Sequence, residues 1–135
     1  MPPGPTRRPA QRTGRYRDDD AMRILFVGDV VGRPGRDAVA GLLPGLREEH
    51  AVDVCIVNGE NVADGVGITP RLAEALLAAG ADAITLGNHT WRRQEISAYL
   101  KGSERVVRPA NMASGLPGRG LAVVPSRDGT PVAVI

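Results

Sequence analysis

Short apolar runs and longer amphipathic stretches alternate along this chain from Arg23 onward, and the two periods predict different elements. "RILFVG" (23–28) and "DVCIVNG" (53–59) are brief, apolar and closed by glycine, which predicts buried strands. "ADAITLG" (81–87) repeats the pattern as a third strand. Between them, "RDAVAGLLPGLREEH" (36–50) carries apolar residues at helical spacing, with Pro44 and Gly45 expected to kink it. "TPRLAEALLAAG" (69–80) has Thr69 as N-cap, Pro70 at the first helical position and Gly80 at the end. Its inner stripe is Leu72, Leu76 and Ala79. "TWRRQEISAYL" (90–100) predicts a third helix capped by Thr90. Three further strand-like runs follow, "RVVRP", "GLAVVPS" and "TPVAVI", with a hairpin turn at "RDG" between the last two. Strand–helix–strand alternation implies an α/β fold with right-handed crossovers and a parallel sheet at its start.

Composition narrows this picture without changing it. The 135 residues suffice for one domain with a real core, and no run of 18 apolar residues offers a membrane span. The single cysteine, Cys55, lies in an apolar run and reads as a buried small hydrophobe of a cytoplasmic protein. The net charge of +2 is local: residues 1–21 hold five Arg and three Asp, leaving 12 basic and 12 acidic residues in the remainder. The domain itself therefore gives no electrostatic reason to expect a polyanion partner. The segment 1–21, with four of the 11 prolines and no apolar period, is expected to be a disordered basic tail ahead of a domain over 22–135.

The polar residues at the strand ends carry the chemistry. In an open parallel sheet, working residues sit just past the carboxyl ends of the strands. The first strand runs into "GD", with Asp29; the second into "GEN", with Glu60 and Asn61; the third into "GNHT", with Asn88 and His89. Neighbouring strands lie about 4.8 Å apart, so the five side chains can converge. Two carboxylates, two amides and one imidazole suit a hard or borderline divalent cation such as Mn²⁺ or Fe²⁺. If two metals share the site, Glu60, in the middle, is placed to bridge them. A helix starting at Thr90 would add backbone N–H groups, a ready anion site. Singly, each residue has an ordinary structural use: Asp29 as a turn cap, Glu60–Asn61 as turn chemistry, His89 as a hydrogen-bonded structural histidine. Their recurrence at matching ends of consecutive strands is what argues for a site. His50, at a charged helix terminus, is given no role.

Other motifs are weak. Gly28, Gly32 and Gly35 do not match a dinucleotide fingerprint, and no Lys-Ser/Thr follows them. No nucleophile elbow is present, and Cys55 has no base beside it in sequence. Two further readings stand beside a metal enzyme. One is a non-catalytic nucleotide- or phosphate-binding module that uses the turn at 28–35 and the helix start at Thr90; the other is a nonfunctional fragment.

"MRILFVGDVVGRPGR", "NGENVADGVGIT", "GADAITLGNHTW" and the later "RPAN" together resemble the bacterial calcineurin-like metallophosphoesterases, in the branch of 2′,3′-cyclic-nucleotide phosphodiesterases. The branch is marked by Glu-Asn in place of the usual Asp at the second strand end, and by Thr after the His. The resemblance implies a four-layer α/β/β/α sandwich, of which this chain would be an incomplete N-terminal portion. It further implies two divalent metal ions, Mn²⁺ or iron (Fe²⁺/Fe³⁺), with Asp29, Glu60, Asn61 and Asn88 among the ligands. In that scheme a metal-bound hydroxide attacks the phosphorus of a cyclic nucleotide or other phosphodiester, and His89 is the general acid for the leaving ribose oxygen. A homo-oligomer is left open.

Members of that family are longer, and their second half supplies further histidine ligands, whereas no histidine follows His89 here. The sequence stops at "PVAVI", inside an apolar strand, and reads as a truncated chain with half a metal site. We therefore expect the purified 135-residue chain to hydrolyse 2′,3′-cyclic AMP weakly or not at all. A Mn²⁺-dependent turnover by this chain that disappears in His89→Ala would contradict that expectation.

Overall fold

The computed structural model describes residues 21–135, so the expected tail, apart from Ala21, lies outside the described residues. Four parallel strands form the main sheet in the order β1 (Ile24–Val27), β2 (Val54–Asn58), β3 (Ala83–Thr85) and β4 (Val106–Val107). Chain order and spatial order agree, so the exits of β1, β2 and β3 are neighbours. The helices α1 (Gly32–Glu49), α2 (Pro70–Ala78) and α3 (Ile96–Gly102) make the crossovers. β5 (Ala122–Pro125) and β6 (Pro131–Val134) pair antiparallel as a separate two-stranded sheet.

The period-two alternation of the strands sorts side chains between two cores. Cys55, Val57, Ile84 and Val106 face the helical side, where Val39, Leu43, Leu72, Leu76, Ile96 and Leu100 cover them. Val54, Ile56, Ala83 and Val107 face the opposite side, where Ala122, Val124 and Val134 of the second sheet close over them. This is an α/β architecture of helices, parallel sheet and antiparallel pair, three consecutive layers of the expected sandwich; a second helical layer is absent among the described residues. Ile24 and Phe26 lie in register with Val54 and Ile56 but remain 52% and 56% exposed, because the two-stranded sheet stops short of β1.

Two of the three helices depart from expectation at their starts. α1 begins at Gly32 rather than Arg36, with Pro34 in the first turn, where a missing N–H costs nothing. It runs unbroken through Pro44, which sits on the exposed face, so the carbonyl that proline leaves unpaired can be solvated. α2 starts as predicted: the Leu72 N–H donates to Thr69 Oγ1 at 3.3 Å, and Pro70 occupies the first turn. α3 begins only at Ile96, and residues 90–95 form turns instead.

At the end of the sheet away from those loops, Asp82 ties three segments together. Its Oδ2 accepts from Arg47 Nη1 of α1 at 2.7 Å and from the Cys55 N–H of β2 at 2.7 Å, while Arg47 also donates to the Gly80 carbonyl. No helix among the described residues is long and apolar enough to cross a membrane. Cys55 is free and fully buried, as its sequence context suggested. Burial pushes its thiol up to about 11, against a smaller opposing pull from the Arg47 guanidinium. The thiolate is the reactive form, so native Cys55 should resist a thiol-specific disulfide reagent at pH 8 and react fully once denaturant is added. Rapid labelling of the native chain would show that this core opens readily.

Candidate functional site

Glycine precedes each polar strand end, but the three glycines serve different ends. A Cβ at Gly28 would meet nothing within 4 Å. One at Gly59 would press on Ile68, Ile84 and Leu76 at 3.1 to 3.3 Å, so that glycine lets the chain pass close over the core. One at Gly87 would lie 2.2 Å from Glu60 Oε2 and 2.5 Å from its Oε1. The Glu60 carboxylate therefore occupies the space that any other residue at 87 would fill. The sequence pattern suggested a ligand approaching the backbone there; the group that approaches is the chain's own carboxylate.

From that contact a continuous polar chain runs across the three strand exits. His89 Nδ1 lies 3.9 Å from Glu60 Oε2 and 2.6 Å from Asn61 Oδ1. Asn61 Nδ2 donates to Asp29 Oδ1 at 2.7 Å. Because the amide nitrogen of Asn61 is spent on Asp29, its oxygen faces the ring and can only accept. Nδ1 of His89 therefore carries the proton, and Nε2 is the ring atom left for other partners. Asp29 takes a positive φ of 41°, a conformation that Asp tolerates better than most residues and one that turns its carboxylate back towards Asn61. Asp29, Glu60, Asn61 and His89 are thus brought together as anticipated. Asn88 is exposed at the same strand exit and joins none of these hydrogen bonds.

Glu60 Oε2 is buried and has no hydrogen-bond partner. A buried carboxylate oxygen left unpaired is costly, and a cation placed against it removes that cost. The donor set fits a hard or borderline divalent ion: carboxylates from Asp29 and Glu60, amide oxygens from Asn61 and Asn88. Among the described residues no group of three or more His, Cys, Asp and Glu could hold a metal ion; here amides stand beside carboxylates.

Two sequence expectations fail here. Thr90 is not a helix cap: its hydroxyl donates to the Gly87 carbonyl at 2.6 Å and its backbone N–H bonds the same oxygen at 3.2 Å. That bond holds the fully buried Thr90 in a tight turn after His89, so no helix starts at Thr90 and the anion site expected there is not formed. In the turn at 28–35, the N–H groups of Val30, Gly32 and Gly35 donate to the carbonyls of Asn58, Asn61 and Val31, leaving none of these three to cradle a phosphate. The binding-module reading loses the helix start at Thr90 and these three donors.

Sequence reasoning missed two arginines. Arg36 of α1 and Arg93, four residues after His89, both donate to the loop that carries Glu60 and Asn61. In the sequence they sit in basic stretches that look like solvated surface, and nothing in their spacing marks them.

A profile of YmdB-like proteins matches residues 25–135. The chain is 47% identical over 114 residues to the 2′,3′-cyclic-nucleotide 2′-phosphodiesterase of Bacillus subtilis, a match covering 84% of this chain and 43% of that protein. Among solved structures, a hypothetical protein from Thermus thermophilus superposes with a TM-score of 0.70 at 46% identity, covering 76% of this chain and 40% of that one. A phosphatase from Mycoplasma pneumoniae gives a TM-score of 0.70 at 34% identity, over 76% of this chain and 38% of that one. The chain thus spans less than half the length of the proteins it matches.

Replacing Gly87 with alanine tests the contact around which the site is built. The atom in the way is the end of a flexible side chain, so Gly87→Ala should fold, with a stability loss of about 1 kcal/mol. It should nonetheless expel the Glu60 carboxylate from beside residue 87 and shift the signals of the His89 ring next to it. An NMR spectrum checks this; unmoved His89 signals in a folded Gly87→Ala chain would refute it.

Proposed function

Because this chain belongs to the YmdB-like proteins, within the metallophosphoesterases, we propose that it is the part of a metal-dependent phosphodiesterase that supplies the general acid and one side of the metal shell. The substrate class we assign is the 2′,3′-cyclic nucleotides, following the activity named for the Bacillus subtilis relative. One observation carries the reading: a buried, unpartnered Glu60 oxygen lies 3.9 Å from a histidine whose other contacts are an amide and, through it, a carboxylate.

Asp29, Glu60, Asn61 and Asn88 are the residues we assign to the metals, Mn²⁺ or iron, with Glu60 placed between the exits of its two neighbours. Such ions, when bound, neutralise charge on phosphoryl oxygens and make a nucleophile available near neutral pH. The chain's own part is orientation and proton delivery. Asn61 fixes the His89 ring through Nδ1, which directs Nε2 towards the leaving ribose oxygen as the proton donor. Asp29 in turn holds Asn61 through its amide nitrogen, so the orientation of the ring is set two residues away from it.

A chimera tests this: residues 22–135 replace the matched segment of the Bacillus subtilis enzyme. It should hydrolyse 2′,3′-cyclic AMP, and His89→Ala should lower kcat by about 10²-fold or more while metal content stays unchanged. Glu60→Gln should instead lower metal content. An unchanged kcat in His89→Ala would remove the role given to that residue. A folded, metal-loaded but inactive chimera would remove the substrate class.

A further inference from the structure

The loop from Glu60 to Gly67 is closed on itself by backbone bonds. Gly67 N–H donates to the Glu60 carbonyl at 2.6 Å, Ala63 N–H to Gly67 at 2.8 Å, and Gly65 N–H to Asn61 at 3.0 Å. Closure at this length uses positive φ at Asp64, Gly65 and Gly67. Beside the Gly32 N–H to Asn61 carbonyl bond and the burial of Val62 and Ala63, a pair of guanidinium groups ties the closed loop to the molecule. Arg36 Nη1 donates to the Val62 carbonyl at 2.7 Å; Arg93 donates through Nη2 to Ala63 at 2.8 Å and through Nε to Val66 at 3.1 Å.

The origin of each arginine gives the arrangement its meaning. Arg36 stands on the helix entered directly after Asp29, and Arg93 on the turn that follows His89. Each therefore ties the middle loop, which carries Glu60 and Asn61, to the loop of a neighbouring strand. Gly67 allows the second tie, since a Cβ there would lie 3.1 Å from both Arg92 Cβ and Arg93 Cγ. All three accepting groups are main-chain carbonyls, so the arginines hold the path of the backbone. The fork of Arg93 reaches two carbonyls from one planar group, which an ammonium cannot do.

We infer that Arg36 and Arg93 are positioning residues that set the distance between the Glu60–Asn61 loop and His89. The inference rests on the reading of Glu60 and Asn61 as site residues. Its consequence is specific: releasing the loop breaks the Asn61–His89 hydrogen bond without opening the core beneath it.

Both effects are visible by NMR in the 135-residue chain, which has only two histidines, His50 and His89. In the parent chain the His89 Nδ1–H should give a downfield, slowly exchanging signal that is absent from Asn61→Ala. In Arg93→Gln that signal should be lost, and the amides of Ala63, Gly65 and Gly67 should exchange at least about tenfold faster. The amides of Val57 and Ile84 in the sheet should be unchanged. Arg36→Gln, which releases the Val62 carbonyl and the more distant, exposed Asp64 carboxylate, should have a smaller effect of the same kind, and it serves if Arg93→Gln fails to fold. Arg93→Lys should restore the signal only in part. The inference is overturned if the His89 signal and loop exchange are unmoved in both variants, or if sheet protection falls in step with the loop. A metal analysis of the chimera separates this from the functional reading. Metal content equal in the chimera and its Glu60→Gln variant would refute the metal site, whatever the NMR result.

Discussion

Everything at the strand exits is referred to the absence of one side chain. With no Cβ at residue 87, the Glu60 carboxylate can lie against the backbone that leaves β3, and this apposition brings the loops of β2 and β3 within bonding distance. His89 then meets Asn61, and Asn61 meets Asp29. The sheet makes the encounter geometrically open by placing β1, β2 and β3 side by side in chain order; the missing methyl group makes it sterically open.

The two ends of the sheet are finished in contrasting ways. At one end Asp82 Oδ2 accepts from Arg47 and from the Cys55 amide, both donors of the chain itself. At the other, Glu60 keeps a buried oxygen with no donor. The same residue chemistry is satisfied in one place and left wanting in the other. A fold under selection for stability alone has no reason to retain the second arrangement. The contrast is the physical ground for treating one end as scaffold and the other as site.

Most of the frame was legible in the sequence because it depends on local periods. The strands, the Thr69 cap with Pro70, and the hairpin around Gly129 follow from alternation, capping and turn chemistry that act over a few residues. Asp29, Glu60, Asn61 and His89 were legible because their positions relative to the strand ends are a matter of counting. Thr90 misled because a hydroxyl before a helical stretch can bond forward to start a helix or backward to close a turn, and only the tertiary position of Gly87 decides. Arg36 and Arg93 were invisible for a different reason. Their partners are carbonyls 26 to 30 residues away, and a carbonyl has no letter in the sequence.

That last point bears on how such a chain can change over generations. A loop held by its main chain places little demand on the identity of the side chains it carries outward. Val66 is exposed, and Arg93 grips its carbonyl rather than its side chain; the exposed Asp64 adds a carboxylate 3.8 Å from Arg36 Nη1. Drift in those positions is compatible with an unchanged path for the backbone, provided a residue that accepts a positive φ remains at 64. The margin beside the candidate site is thus open to variation in its outward side chains while the backbone that carries Glu60 and Asn61 keeps its path.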